Sequence, residues 1–162
     1  MLLACYILLF VLLALSAFFS GSETALTSAN RPWLKERAAD GDRRAVLACH
    51  FLDNSDKFLS TVLIGNNIVN VSFATVARSC IGVAIAQSAI GQWLLPGVGA
   101  NSAWTEWITT IVVTPVVLLF GEVLPKALGR YHANRAALLA VGPMSFFARV
   151  LAPLVWCMSA MA

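Results

Sequence analysis

The residues able to do chemistry lie in apolar surroundings. Glu122 is the only charged side chain between Ile108 and Lys126. A carboxylate at the centre of a membrane helix costs roughly 3 kcal/mol to place, so it faces a partner, an ion or a water-filled cavity. Two further polar patches sit at a matching distance from basic anchors. Ser22 lies nine residues before Arg31, Asn66 nine after Lys57, and Glu122 eight before Arg130. At about 1.5 Å per helical residue, each is roughly 12 to 14 Å into a bilayer. Ser20 and Ser22 supply hydroxyls, Asn66, Asn67 and Asn70 supply amides, and Glu122 supplies the carboxylate. All are oxygen donors, and no histidine or cysteine falls in this layer. A hard cation such as magnesium, calcium or sodium is therefore favoured over a soft metal. One carboxylate among neutral oxygens is sparse for a fully dehydrated divalent ion, which leaves room for retained waters or a second acid.

The elements that must position these groups are membrane helices. With 59% apolar and 12% charged residues and a mean hydropathy of +0.80, the chain departs from a soluble domain in both directions. The charge-free run from Met1 to Ser22 exceeds a signal-peptide core and has no clear cleavage site, so it reads as a retained first span. We expect an all-α membrane protein with three spans, at about 2–29, 58–86 and 103–129. A cytoplasmic pair of amphipathic helices over 30–57 turns at Asp40-Gly41-Asp42, and 136–162 forms an interfacial belt helix or, alternatively, a fourth span. Ser20-Gly21-Ser22-Glu23-Thr24 suggests a break in the first helix, Gly65 one in the second, and Pro115, Gly121 and Pro125 predict irregular hydrogen bonding in the third. Six Lys and Arg residues over Arg31–Lys57, against none over 87–104, place the amino terminus outside and the segment around Arg130 in the cytoplasm. The four cysteines have no metal-ligand spacing; most read as packing residues, and neither a disulfide framework nor a zinc site is implied. The net charge of +3 reflects topology signals flanking the spans, with no nucleic-acid footprint.

Three segments carry a resemblance. Phe19-Ser20-Gly21-Ser22-Glu23-Thr24-Ala25, Ile64-Gly65-Asn66-Asn67-Ile68-Val69-Asn70 and Gly121-Glu122-Val123-Leu124-Pro125-Lys126 resemble the three motifs of the transmembrane domain of the CNNM/CorC magnesium transporter family. The match covers nearly the whole chain. It implies a homodimer of three-span subunits with a juxtamembrane belt helix, exporting Mg²⁺ in exchange for Na⁺. It also implies a cation site at Ser20, Ser22, Asn66, Asn67 and Glu122. Members of that family continue into cytosolic CBS modules that bind adenine nucleotide. This chain stops inside an apolar stretch, which reads as a cut before such a region.

Plainer readings compete for each residue. Serines and asparagines commonly join membrane helices, and Glu122 could pair with Lys126 one turn away. Glu23 could cap a helix, bind an ion's waters or meet a basic residue. Nothing in the sequence resembles an enzyme, since no nucleophile stands with a base and no second buried acid accompanies Glu122. The alternatives to an exporter are a dimeric membrane anchor or magnesium sensor serving a cytosolic module, and a proton-linked carrier in which Glu122 titrates.

Overall fold

The computed structural model describes residues 2–87 and 103–159. The described residues are helical apart from short turns: α1 (Leu2–Ser28), α2 (Arg31–Ala39), α3 (Arg43–Asp53), α4 (Ser55–Gln87), α5 (Ala103–Val116), a π-helical stretch (Val117–Val123), α6 (Leu124–Tyr131) and α7 (Ala133–Ser159). Among the described residues, four segments are long and apolar enough to cross a membrane: Leu3–Ser28, Ser55–Ile81, Thr110–Tyr131 and Ala133–Trp156. The expected loop over 87–104 lies largely outside the described residues.

α1 and α4 pack antiparallel. The register can be followed through Cys5 with Cys80, Ser16 with Asn70, and Phe19 against Gly65. The third long helix, from α5 through α6, runs parallel to α1, so that Ser16 meets Gly121 and Gly21 meets Pro125. Small residues set these approaches, as expected where lipid gives no hydrophobic incentive for helices to associate. A Cβ on Gly65 would stand 2.6 Å from the Phe19 ring, and one on Gly129 would stand 2.6 Å from the Gly21 carbonyl oxygen.

The expected helix pair is present. Asn30 caps α2 by accepting from the Trp33 N–H, and Asp42 caps α3 by accepting from the Arg44 N–H. Between them Gly41 adopts φ +90°, a turn that a residue with a Cβ would strain. α7 joins both ends of this unit. Its first turn is tied to the end of α1, where the Asn134 Oδ1 accepts from the Asn30 N–H. Its last described turns share a cavity of about 430 Å³ with Asn54, Lys57 and Phe58 at the start of α4. Because α1 ends and α4 begins at the same end of the bundle, both ends of α7 lie there too. Phe147 of α7 packs against Phe18 and Phe19, next to a core that includes Leu26, Leu34, Phe58, Val141 and Met144.

Three expectations are corrected. α1 continues unbroken through Ser20-Gly21-Ser22, because the Ser22 and Thr24 hydroxyls bond to carbonyls of their own helix, leaving the backbone ladder intact. α4 is likewise continuous through Gly65; both glycines serve close approach. Among the described residues, the π-helical irregularity falls in the third helix. Pro125 lacks the N–H that the Gly121 carbonyl would accept in an α-helix, and the hydrogen bonds shift to five-residue spacing, the Leu124 N–H reaching the Leu119 carbonyl.

The third correction concerns the cysteines. Cys5 and Cys80 form a disulfide with a Cα–Cα distance of 6.1 Å across a separation of 75 residues; spacing in sequence says nothing about which helix ends meet. Cys5→Ala is expected to leave the Cys80 thiol reactive to maleimide in the unfolded, unreduced protein, and Cys80→Ala to do the same for Cys5. Mass-tag gel shifts measure it, and a wild-type chain tagged at both positions without reductant would contradict the bridge.

Candidate cation site

The polar groups converge where α1, α4 and the π-helical stretch meet. The buried Ser16 hydroxyl donates to Asn70 Oδ1 at 2.8 Å and lies 3.3 Å from Asn66 Oδ1. The Asn70 amide nitrogen donates to Glu122 Oε1 at 3.1 Å. From the other side Ser20, also buried, donates to the Glu122 carbonyl oxygen at 3.3 Å. The π-helical stretch helps to make this possible, since π-type interruptions loosen the regular ladder and recur at functional sites.

The cluster therefore places a carboxylate, two amide oxygens, two hydroxyls and a backbone carbonyl from three helices in one layer. Every donor is oxygen, and among the described residues no three His, Cys, Asp or Glu side chains converge to make a site of the usual metal-ligating kind. The chemistry of the set suits a hard cation that keeps part of its water. The Ser16 and Ser20 hydroxyls and the Asn70 amide each bond to a neighbour, and no buried side-chain nitrogen or oxygen among the described residues lacks a partner.

Of the five residues expected to hold the ion, Ser20, Asn66 and Glu122 are in this layer. Ser22 is buried but its hydroxyl is committed to the Phe19 carbonyl oxygen at 3.0 Å. It lines a separate groove of about 630 Å³ between α1, α6 and α7, beside Pro125 and Ala136. Asn67 is exposed on the surface of α4. Asn70 takes the place that Asn67 was expected to fill, because residues four apart share a helix face and adjacent ones do not. Ser16 was missed altogether. The signal for it was the four-residue spacing of Ser16 and Ser20, which repeats that of Asn66 and Asn70.

The alternative pairing of Glu122 with Lys126 is not formed, and Lys126 meets a helix α1 acid instead. Lys126 lies 3.8 Å from Glu23 of α1, which leaves Glu122 to Asn70. Toward the opposite end of the bundle, Arg78 of α4 pairs with Glu106 of α5 at 2.9 Å, beside the exposed Trp107. His50 and His132 are exposed and away from the polar layer.

Long apolar helices closing around a partly buried layer of oxygen donors define a multi-pass membrane protein with a polar site between its helices. Residues 7–162 match the Cyclin M transmembrane N-terminal domain, and the chain belongs to that family. Similar proteins include a UPF0053 protein of Haemophilus influenzae, 33% identical over 95% of this chain and 33% of its own length. The UPF0053 inner membrane protein YfjD of Escherichia coli is 34% identical over 90% of this chain and 30% of its own. A polyamine export protein of Salmonella typhimurium is 29% identical over 96% of this chain and 34% of its own. The chain thus spans about a third of the length of these relatives.

Proposed function

We propose that this chain is the membrane domain of a cation exporter whose cargo is Mg²⁺, with Na⁺ as the coupling ion. One observation carries the reading: Glu122 stands deep in an apolar helix, hydrogen-bonded to Asn70 and backed by Ser16, Ser20 and Asn66. A carboxylate so placed is costly unless it faces a partner, an ion or water, and Asn70 supplies it one neutral hydrogen bond and no charge. Mg²⁺ would be held by Glu122, the Asn66 and Asn70 amide oxygens and the serine hydroxyls, with waters completing its shell. Na⁺ could use the same oxygens at another time, coupling the two fluxes by competition.

The topology we favour has three spans and a belt. Both ends of α7 meet one end of the bundle, through Asn134 and the Asn54–Phe58 turn, which supports an interfacial α7 over a fourth crossing. The α2–α3 pair is then cytoplasmic, and the amino terminus outside. Disulfides persist in oxidising compartments, and a Cys5–Cys80 bridge at the opposite end agrees with that orientation. A second copy of the chain would cover the exposed Asn67 between Leu63 and Val71. Its amide is self-complementary across a twofold axis and is poorly placed against lipid.

Two relatives, from Haemophilus influenzae and Salmonella typhimurium, carry the name polyamine export protein, so an organic polycation is the second reading. Proteoliposomes containing the protein decide among these. Magnesium efflux that depends on an opposing sodium gradient is the expected result, with spermidine neither carried nor competing. Spermidine flux would transfer the site to polyamines. Magnesium binding without any flux would support the anchor or sensor instead, and flux driven by a pH gradient alone would support the proton-linked carrier.

A further inference from the structure

Beyond the polar layer, α4 and the third helix share a seam that leads away from Lys126 and toward the disulfide. Asn66, Asn70, Ala74 and Arg78 follow one another on α4 at four-residue spacing, and Thr114, Thr110 and Glu106 do so on α5. Such spacing keeps residues on one helix face. The seam begins at the Asn70–Glu122 hydrogen bond and ends at the Arg78–Glu106 ion pair. An open groove of about 440 Å³ lies in it, lined by Ala74, Thr75, Thr110 and Thr114 together with both members of the ion pair. The Thr75 and Thr110 hydroxyls donate to carbonyls of their own helices, which leaves their oxygen lone pairs to the groove. From Asn70 to Arg78 the rise is about 12 Å.

Cys80 lies two residues beyond Arg78, about 200° around α4, and bonds to Cys5 of α1. At this end α4 is therefore held covalently to α1 on one face and by a half-exposed ion pair to α5 on another. Exposed ion pairs are weak and readily exchanged for water. We infer that the seam is the outward leg of the cation path and that Arg78 and Glu106 form its outer closure. The Cys5–Cys80 bridge makes α1 and α4 one body there, so the third helix is the element that moves. While closed, the Arg78 guanidinium repels cations returning from outside. Once the pair parts, Glu106 is free to draw the departing ion outward.

This inference rests on the export reading, and its tests separate the two. In a Cys49→Ser, Cys157→Ser background with the native disulfide kept, Ala74→Cys reports access to the groove by a membrane-impermeant thiol reagent. Adding Arg78→Gln is expected to raise the labelling rate about two- to fivefold, the scale of an exposed ion pair. The charge swap Arg78→Glu with Glu106→Arg should return it toward the starting rate. In the same background, Arg78→Cys with Glu106→Cys joined by a bismaleimide should stop magnesium efflux while calorimetric magnesium binding persists. Efflux at the wild-type rate after cross-linking, or labelling indifferent to Arg78→Gln, would overturn the seam as the exit. If the wild-type protein moves no cation, the export reading fails and the labelling rates still decide whether Arg78 and Glu106 close the groove.

Discussion

Glu122→Gln is expected to weaken magnesium binding by about a hundredfold, which corresponds to about 3 kcal/mol, the lower end of the cost of removing one partner from a buried charge pair. The substitution isolates charge from shape. Glutamine keeps an oxygen that can accept from the Asn70 amide at the present 3.1 Å, and the Ser20 bond is to the Glu122 backbone carbonyl, which any residue supplies. Unfolding of the variant should therefore stay within about 1 kcal/mol of wild type, while calorimetric titration with magnesium shows the loss. Asn67→Ala is the matching control, since Asn67 is exposed and outside the hydrogen-bonded layer, and it should leave affinity unchanged. Equal binding by wild type and Glu122→Gln would make Glu122 a packing residue and put the anchor reading ahead of export.

The contrast between Glu122 and Asn67 also marks how far sequence alone reached. Composition and charge placement were enough for an all-helical membrane chain, for the α2–α3 pair with its turn at Gly41, and for the level at which polar groups gather. Each follows from solvent: apolar runs must be helical in lipid, and basic residues mark the ends of spans. Which oxygens face each other depends on helix rotation instead, and rotation is set by contacts far apart in sequence. Gly65 under the Phe19 ring and Gly121 against Ser16 fix how α4 and the third helix turn toward α1, so Asn70 points inward and Asn67 outward. The same reasoning explains Cys5 and Cys80. Their pairing follows from an antiparallel register that Ser16 and Asn70 share, and no local pattern announces it.

Gly21 and Gly65, read as helix breaks in sequence, turn out to be points of contact, and Gly129 is a further one, where an added Cβ would meet backbone and not a side chain. Gly129→Ala is expected to cost about 1 to 3 kcal/mol, the range for forcing an extra methyl into a packed contact. Its Cβ would lie 2.6 Å from the Gly21 carbonyl oxygen and 3.4 Å from the Ala25 nitrogen. Both are backbone atoms, which cannot rotate away as a side chain can, so α6 must move off α1. Helix propensity acts in the opposite direction, favouring alanine by about 1 kcal/mol, and the sign is decided by which effect is larger. Gly142→Ala in α7 separates the two, because nothing lies within 4 Å of the added atom; that variant should be as stable as wild type or slightly more so. Thermal or denaturant unfolding in detergent compares them, and a Gly129→Ala protein as stable as Gly142→Ala would refute the close crossing. The shift should also be felt at the site. Pro125 packs on Gly21, and Glu122, one turn earlier, takes the Ser20 hydroxyl on its carbonyl at 3.3 Å. Moving α6 outward lengthens that contact, so Gly129→Ala should lower magnesium affinity although Gly129 itself offers the ion no ligand.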